Sequence, residues 1–258
     1  MNVAVCVKQI PDPNEPGSLE SDHTLKRDGK LILDESDSYG VEMALQLVDA
    51  AGGGEVTLVS MAPDGQTGGL RTALAMGAAK AVLVSDHALR GSGALDTATV
   101  LAAAIRRTEF DLVMAATESS DGYTGVVPEQ IAAVLGLPSV TFAKQIEITD
   151  GAVRVSRQTE GGYDEVECPL PCVISVTAGV VEPRYPSFKG IMGAKSKPVD
   201  QVTVADLGID ASTVGWPGAG QEIVEVARVE ERQAGEVVHD EGDAHLRIVE
   251  YLEKLKII

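Results

Sequence analysis

The chain opens MNVAVCVKQIPDP, Met1 to Pro13, and the first half of that stretch decides the fold. Val3 to Val7 is an unbroken apolar run. A strand with one wet face would alternate, so this run predicts a strand buried on both faces, the habit of parallel sheets covered by helices. The turn that follows, Lys8 to Pro13, holds no glycine. A dinucleotide fold places G-x-G-x-x-G at that turn, so a standard NAD site is not expected. A phosphate loop of the G-x-x-x-x-G-K-[ST] type is absent as well. Gly193 to Ser196 reads GAKS, but the spacing is wrong and no strand precedes it. The opening also lacks the basic flank and cleavage site of a signal peptide.

Strand and helix signals then alternate. Leu31 to Leu33 is a short apolar run. Val41, Ala44, Leu45 and Val48 follow helical spacing, stopped by Gly52 to Gly54. Val56 to Ser60 reads as a strand, Leu70 to Met76 as a helix ended by Gly77, and Ala81 to Val84 as a strand. Asp96 is placed to cap an Ala-rich helix running through Ile105. Leu112 to Ala116 is a strand, and Pro128 opens a helix through Leu135. This order predicts an α/β fold with a doubly wound, mostly parallel Rossmann-like sheet.

From Val140 the rhythm changes. Ile146 to Ile148, Val153 to Val155, Tyr163 to Glu167 and Cys172 to Val176 are short strand-like pieces separated by turns at Asp150-Gly151 and Gly161-Gly162, and they predict an antiparallel extension. From Asp200 to Asp243 the chain holds eleven acids and two bases. A last helix, about Ala244 to Leu255, carries Leu246, Val249, Leu252 and Leu255 on one stripe, which needs a surface to cover. The expected division is a nucleotide-binding domain at 1–199 and a C-terminal arm at 200–258 that packs on a partner.

A formal charge of −18 argues against nucleic acid or an anionic membrane as a partner, and no apolar run is long enough to cross a bilayer. Cys6, Cys168 and Cys172 are odd in number and dispersed, which points to a reducing, cytoplasmic setting. No second Cys or His pair with ligand spacing accompanies CPLPC, Cys168 to Cys172, so no metal site is expected. The four histidines form no motif, and no catalytic constellation is present. That favours a carrier, binding or subunit role over an independent enzyme.

Two segments stand out. ATESSDGYTGVVP, Ala116 to Pro128, lies between a predicted strand and a helix N-terminus. Its small residues let backbone N–H groups approach an anion, Ser119, Ser120 and Thr124 add hydroxyls, and no lysine is present. EPRYPSFKGIMGAKSK, Glu182 to Lys197, carries four bases against one acid in a very acidic chain. Pro183 and Pro186 argue against strand or helix, and Gly190 and Gly193 leave the backbone loose.

VSRQTEGGYDEVECPLPCVIS, Val155 to Ser175, resembles the signature of the electron-transfer flavoprotein beta subunit. Arg157, Glu160, Gly161, Gly162, Val166, Pro171, Val173, Ile174 and Ser175 fit it, and Asp164 departs mildly from the usual Glu or Gln. VCVKQ (Val5 to Gln9), LRTALAMGA (Leu70 to Ala78), EPRY (Glu182 to Tyr185) and IMGAK (Ile191 to Lys195) resemble the family too. The likeness covers the chain to about residue 210.

The resemblance implies an adenine-nucleotide alpha-hydrolase-like fold paired with a homologous alpha subunit. It implies one FAD held mostly by alpha, with electrons passed singly from acyl-CoA dehydrogenase-type flavoproteins to a membrane quinone oxidoreductase in fatty acid oxidation. It further implies a structural AMP in this subunit. The AMP contacts map to Cys6, Asp34, Asp37, Met61 and the loop beginning Ser119, Ser120, Asp121, Gly122 and Tyr123. That loop continues through Thr124, Gly125 and Val126 to Gln130. Asp34-Glu35 replaces the family's Asn-Pro, Pro11-Asp12-Pro13 offers no aromatic beside the flavin, and SSDGYTG is a variant loop. One branch of the family bifurcates electrons and binds a second FAD in place of AMP; EPRY looks more like the other branch. The resemblance also implies that the basic loop docks on dehydrogenases, with Phe188 as the anchor, Tyr185, Ile191 and Met192 beside it, and Arg184, Lys189 and Lys195 as surrounding charge. The competing reading is a free-standing, homodimeric adenine-nucleotide sensor.

Overall fold

The computed structural model describes the whole chain except Pro63, Arg228, residues 230–234, Glu236, Val238 and Glu241. Part of the acidic connection at 200–243 therefore lies outside the described residues. The chain divides into two units, Met1–Ile223 and Val224–Ile258.

In the first unit, β1 (Asn2–Cys6) is followed by β2 (Gln9–Pro11), β3 (Leu31–Leu33), α1 (Glu35–Ala50), β4 (Glu55–Ala62), α2 (Gly68–Met76) and β5 (Lys80–Ser85). Then come α3 (Ala94–Ile105), β6 (Leu112–Ala116), α4 (Val127–Leu135), β7 (Ser139–Thr149), β8 (Ala152–Thr159) and β9 (Gly162–Pro169). The unit finishes with β10 (Cys172–Val176), α5 (Phe188–Ala194), β11 (Val199–Val202) and the single turn α6 (Gly215–Gly218). Nine strands form one sheet in the order β11-β5-β4-β1-β6-β10-β7-β8-β9. Pairing is parallel from β11 to β7 and antiparallel only through β8 and β9. The predicted α/β fold with its mostly parallel sheet is present.

The side-chain period of two splits the core into two layers. Val3, Val5 and Val7 pack with α1 and α2 on one face, while Ala4 and Cys6 pack with α3 and α4 on the other. Leu58, Leu70, Leu112 and Ile131 are fully buried. Each such side chain contributes roughly 1.5–3 kcal/mol.

Several predicted elements differ in detail. Cys172 to Val176 does not belong to the antiparallel extension; β10 runs parallel between β6 and β7. Its five residues are all buried, as a central strand requires. Leu31 to Leu33 pairs only with β2, in a separate two-stranded ribbon. Asp96 does not cap α3: Gly93 holds the cap position and Asp96 sits in the first turn. The basic loop contains a helix after all, α5, capped by Ser187, whose Oγ accepts from Gly190 N at 3.0 Å. Both prolines precede it, where no helical N–H is needed.

The first unit also extends past residue 199. β11 adds to the sheet edge beside β5, and Val202, Val204 and Val214 are buried in the α3 layer. These valines are too scattered to signal a core of their own, but each fills a place in one that already exists. The second unit holds α7 (Ala244–Lys254), none of whose residues is buried. Among the described residues no helix is long and apolar enough to cross a membrane.

β1 has β4 and β5 on one side and β6 and β10 on the other. The connections leaving β1 and β6 thus run apart, and a crevice opens at the carboxyl ends of these two strands, the usual ligand position in such sheets.

Candidate functional site

The crevice is built from the end of β1. Lys8 follows that strand, and its carbonyl accepts from Asp34 N at 3.0 Å while its own N–H donates to Asp37 Oδ2 at 2.5 Å. Asp34 caps α1, with Oδ1 accepting from Ser36 N at 3.0 Å. Its Oδ2 crosses to the loop after β6 and accepts from Ser120 N at 2.7 Å and Ser120 Oγ at 3.0 Å. Asp34 is wholly buried and Asp37 nearly so. Burial pushes the Asp37 carboxyl well above its ordinary range, against the opposing bond from Lys8 N–H. Asp34, through Ser120, ties α1 to the loop, and Asp37 ties α1 to the end of β1. The family resemblance places both acids at a nucleotide; in the structure each carboxyl is also hydrogen-bonded within the protein.

Two cations that the sequence reading did not pick out converge on the same loop. Lys8 Nζ donates to Ser119 Oγ at 3.1 Å and to Asp121 Oδ1 at 2.6 Å. Arg27, from the ribbon connection, donates to Asp121 Oδ2 and to the Gln9 carbonyl. Burial alone would raise the Asp121 carboxyl, but Lys8 and Arg27 hold it below its usual range. Lys8 could be recognised only once β1 and β6 are known to be neighbours, and Arg27 carries no local signal at all.

The tip of the loop is different. Tyr123 N donates to Ser119 O at 2.9 Å, and Tyr123 and Gly125 take positive φ of 48° and 66°. Among the described residues no acceptor faces the N–H groups of Thr124, Gly125 or Val126, and Val126 gives α4 no side-chain cap. These N–H groups lie on the largely exposed loop just before α4, the kind of position where a helix start favours an anion. Gly122 keeps the loop narrow, since a Cβ there would sit 3.1 Å from Ser119 Oγ and 3.5 Å from Lys8 Nζ. Gln130 Oε1, in the first turn of α4, is buried without a partner. Cys6 and Met61 lie near the ends of β1 and β4 on the α4 side of the sheet. Burial and then Asp37 push the Cys6 thiol up to about 12, so it is a neutral, unreactive wall. Cys6 and Met61 thus stand near the carboxyl ends of β1 and β4, while the loop tip and Gln130 belong to the start of α4.

Beside the crevice lies a groove of about 740 Å³ lined by Ser36, Thr117, Glu118, Phe142 and the run Arg157 to Glu160. The Arg157 guanidinium stands 5.9 Å from the Phe142 ring centroid. Arg157 and Glu160 of the quoted signature therefore face an open surface.

The basic loop also resolves into distinct parts. Arg184 donates to Glu42 on α1 and is a tether. Tyr185 is 92% exposed and Phe188 80%, with Ile191 and Met192 half exposed beside it. Phe188, Ile191 and Met192, spaced by three and four residues, share one face of α5. Lys189 and Lys195 have no ion-pair partner among the described residues.

Residues 22–207 match the family model for the electron transfer flavoprotein domain. The chain is 41% identical to the electron transfer flavoprotein subunit beta of Mycobacterium bovis, over 100% of this chain and 99% of that one. It is 35% identical to the corresponding subunit of Megasphaera elsdenii, over 99% and 98% of the two chains. It is also 38% identical to the caffeyl-CoA reductase-Etf complex subunit CarD of Acetobacterium woodii, over 83% of each. These matches span the crevice loop, the Arg157 to Glu160 surface and α5 together, and the chain belongs to the electron transfer flavoprotein family, among its beta subunits.

Proposed function

We propose that this chain is the supporting half of an FAD electron carrier of the non-bifurcating kind. An alpha subunit holds most of the flavin, and this subunit holds AMP as a structural element in the crevice. The carrier takes electrons from acyl-CoA dehydrogenase-type flavoproteins and delivers them to a membrane quinone oxidoreductase, in the cytoplasm, without turnover of its own. The observation that carries this reading is the exposed apolar face of α5, an arrangement suited to a hot spot on a partner.

The AMP assignment is supported by the free N–H groups of Thr124, Gly125 and Val126, which suit a phosphate. Asp34 is bonded to Ser36 and Ser120 and Asp37 to the Lys8 N–H, so these acids would repel a phosphate placed beside them and suit a ribose hydroxyl or adenine amine instead. FAD supplies the redox chemistry when bound; this chain's residues position and dock. The apolar stripe of α7, with Leu246, Val249, Leu252 and Leu255, is assigned to the alpha subunit.

The test is co-expression with the alpha subunit, followed by a visible spectrum and chromatography of the nucleotides released on denaturation. One FAD and one AMP per heterodimer are expected. Two FAD and no AMP would replace this reading with the bifurcating one, and a heterodimer that stays colourless with added FAD would end it.

A further inference from the structure

Helix α5 is clasped to α2 at its C-terminal end by two reciprocal cations. Arg71, on α2, donates from one terminal nitrogen to the carbonyls of Ala194 at 2.7 Å and Lys197 at 2.8 Å. Lys197 donates from Nζ back to the carbonyls of Leu74 at 2.9 Å and Ala78 at 2.6 Å. Most of these carbonyls lie at or just beyond helix C-termini, where intrahelical partners run out and a cation is favoured. One turn before the clasp the two backbones touch. A Cβ on Gly190 would lie 2.5 Å from the Ala75 carbonyl oxygen, so any side chain there forces the helices apart. Ala194, one turn further on, is buried in the same contact.

A helix of seven residues cannot hold itself together in water. The clasp is therefore what keeps Phe188, Ile191 and Met192 on one outward face.

We propose that Gly190, Arg71 and Lys197 are positioning residues for docking: they hold α5 preformed on α2, so that its apolar face meets the dehydrogenase as a rigid surface. The inference rests on the docking reading above. A preformed face loses little conformational freedom on binding, whereas a segment released from α2 would have to order at every encounter. Gly190 and Ala194 face α2, so their influence passes through the placement of α5 rather than through contact with the partner.

The test uses the FAD-loaded heterodimer and an acyl-CoA dehydrogenase reduced by its acyl-CoA, with flavin reduction followed against heterodimer concentration. Gly190→Ala and Lys197→Met are each expected to raise the half-saturating concentration about five- to tenfold. The saturated rate and the flavin spectrum stay unchanged, and amide exchange at Gly190 and Ile191 accelerates. Lys197→Arg, which keeps a donor, restores near wild-type behaviour. If Phe188→Ala raises the half-saturating concentration but Gly190→Ala and Lys197→Met do not, the proposal is overturned and docking stands. If Phe188→Ala also changes nothing, the docking reading falls and this inference with it. Should Gly190→Ala fail to fold, Lys197→Met decides alone.

Discussion

Arg184 clamps the carboxylate of Glu42 from 142 residues away, with Nε at 2.6 Å from Oε2 and a terminal nitrogen at 3.0 Å from Oε1. Glu42 is buried, and its carboxyl is held below the usual range: burial alone would raise it, but the bonds from Arg184 and Gln46 outweigh that. The most basic stretch of the chain thus begins with a cation that is already satisfied.

Arg184→Gln is expected to lower stability by about 2 kcal/mol at neutral pH, since it leaves a buried carboxylate without its charged partner. Urea unfolding measures the loss. The lowered Glu42 carboxyl sets the sign with pH: the pair contributes above the ordinary glutamate range and its contribution disappears as pH falls through the lowered value. Wild type and variant should therefore converge in acid. A constant gap across pH would show that Arg184 acts through packing alone.

Asp121 gives a second pH-dependent case at the crevice. Its carboxyl is depressed by Lys8 and Arg27 against the opposing effect of burial, so its contribution is present above the ordinary aspartate range and lost as pH falls. Asp121→Asn should cost about 1–2 kcal/mol at pH 7, and progressively less as pH falls through the lowered carboxyl value. If the proposed AMP occupies the crevice, the variant should also retain less of it, because Lys8 loses its hold beside Ser119. Thermal melts over a pH series, with released nucleotide quantified in parallel, check both outcomes.

Phe188→Ala in the heterodimer should weaken dehydrogenase docking by about 2 kcal/mol, near thirtyfold in half-saturating concentration, as for a central aromatic anchor. The flavin spectrum should be unchanged, since Phe188 is an exposed side chain on α5 and forms no part of the crevice. Stopped-flow reduction at limiting carrier concentration reads the effect. Kinetics equal to wild type would refute the anchor.

The helix α7 carries its apolar residues on one stripe, and none of them is buried. Val249→Asp and Leu252→Asp should each prevent stable association with the alpha subunit while leaving the melt of the first unit unchanged. Size-exclusion chromatography of the co-expressed chains distinguishes the outcomes. A heterodimer of unaltered stability would assign the stripe elsewhere.

Much of the fold was legible because local pattern and tertiary need agree there. Val3 to Val7 reads as a doubly buried strand and is one, with its odd and even residues feeding two different layers. The connection before α4 was legible as a loop leading into a helix because its geometry is local: Gly125 supplies the left-handed turn, and the helix starts at Val127 beside Pro128. Elements whose reading depends on a neighbour misled. Cys172 to Val176 follows two hairpin strands in sequence, yet its buried side chains take it to the centre of the sheet. α5 was hidden behind two prolines and two glycines, and only its close contact with Ala75 on α2 explains why a glycine stands at position 190 inside a helix.

By itself, then, the sequence determined the alternating strands and helices up to α4, the fold class and the family, because apolar periodicity and the Val155 to Ser175 signature are properties of consecutive residues. Tertiary structure alone decided the charges. Lys8, Arg27 and Asp121 are brought together by the adjacency of β1 and β6, and Arg184 and Glu42 by the return of the chain to α1. Which cation steers a partner and which is already bound to an acid depends on distances of a few ångströms between residues far apart in the chain, and no spacing along the sequence encodes them.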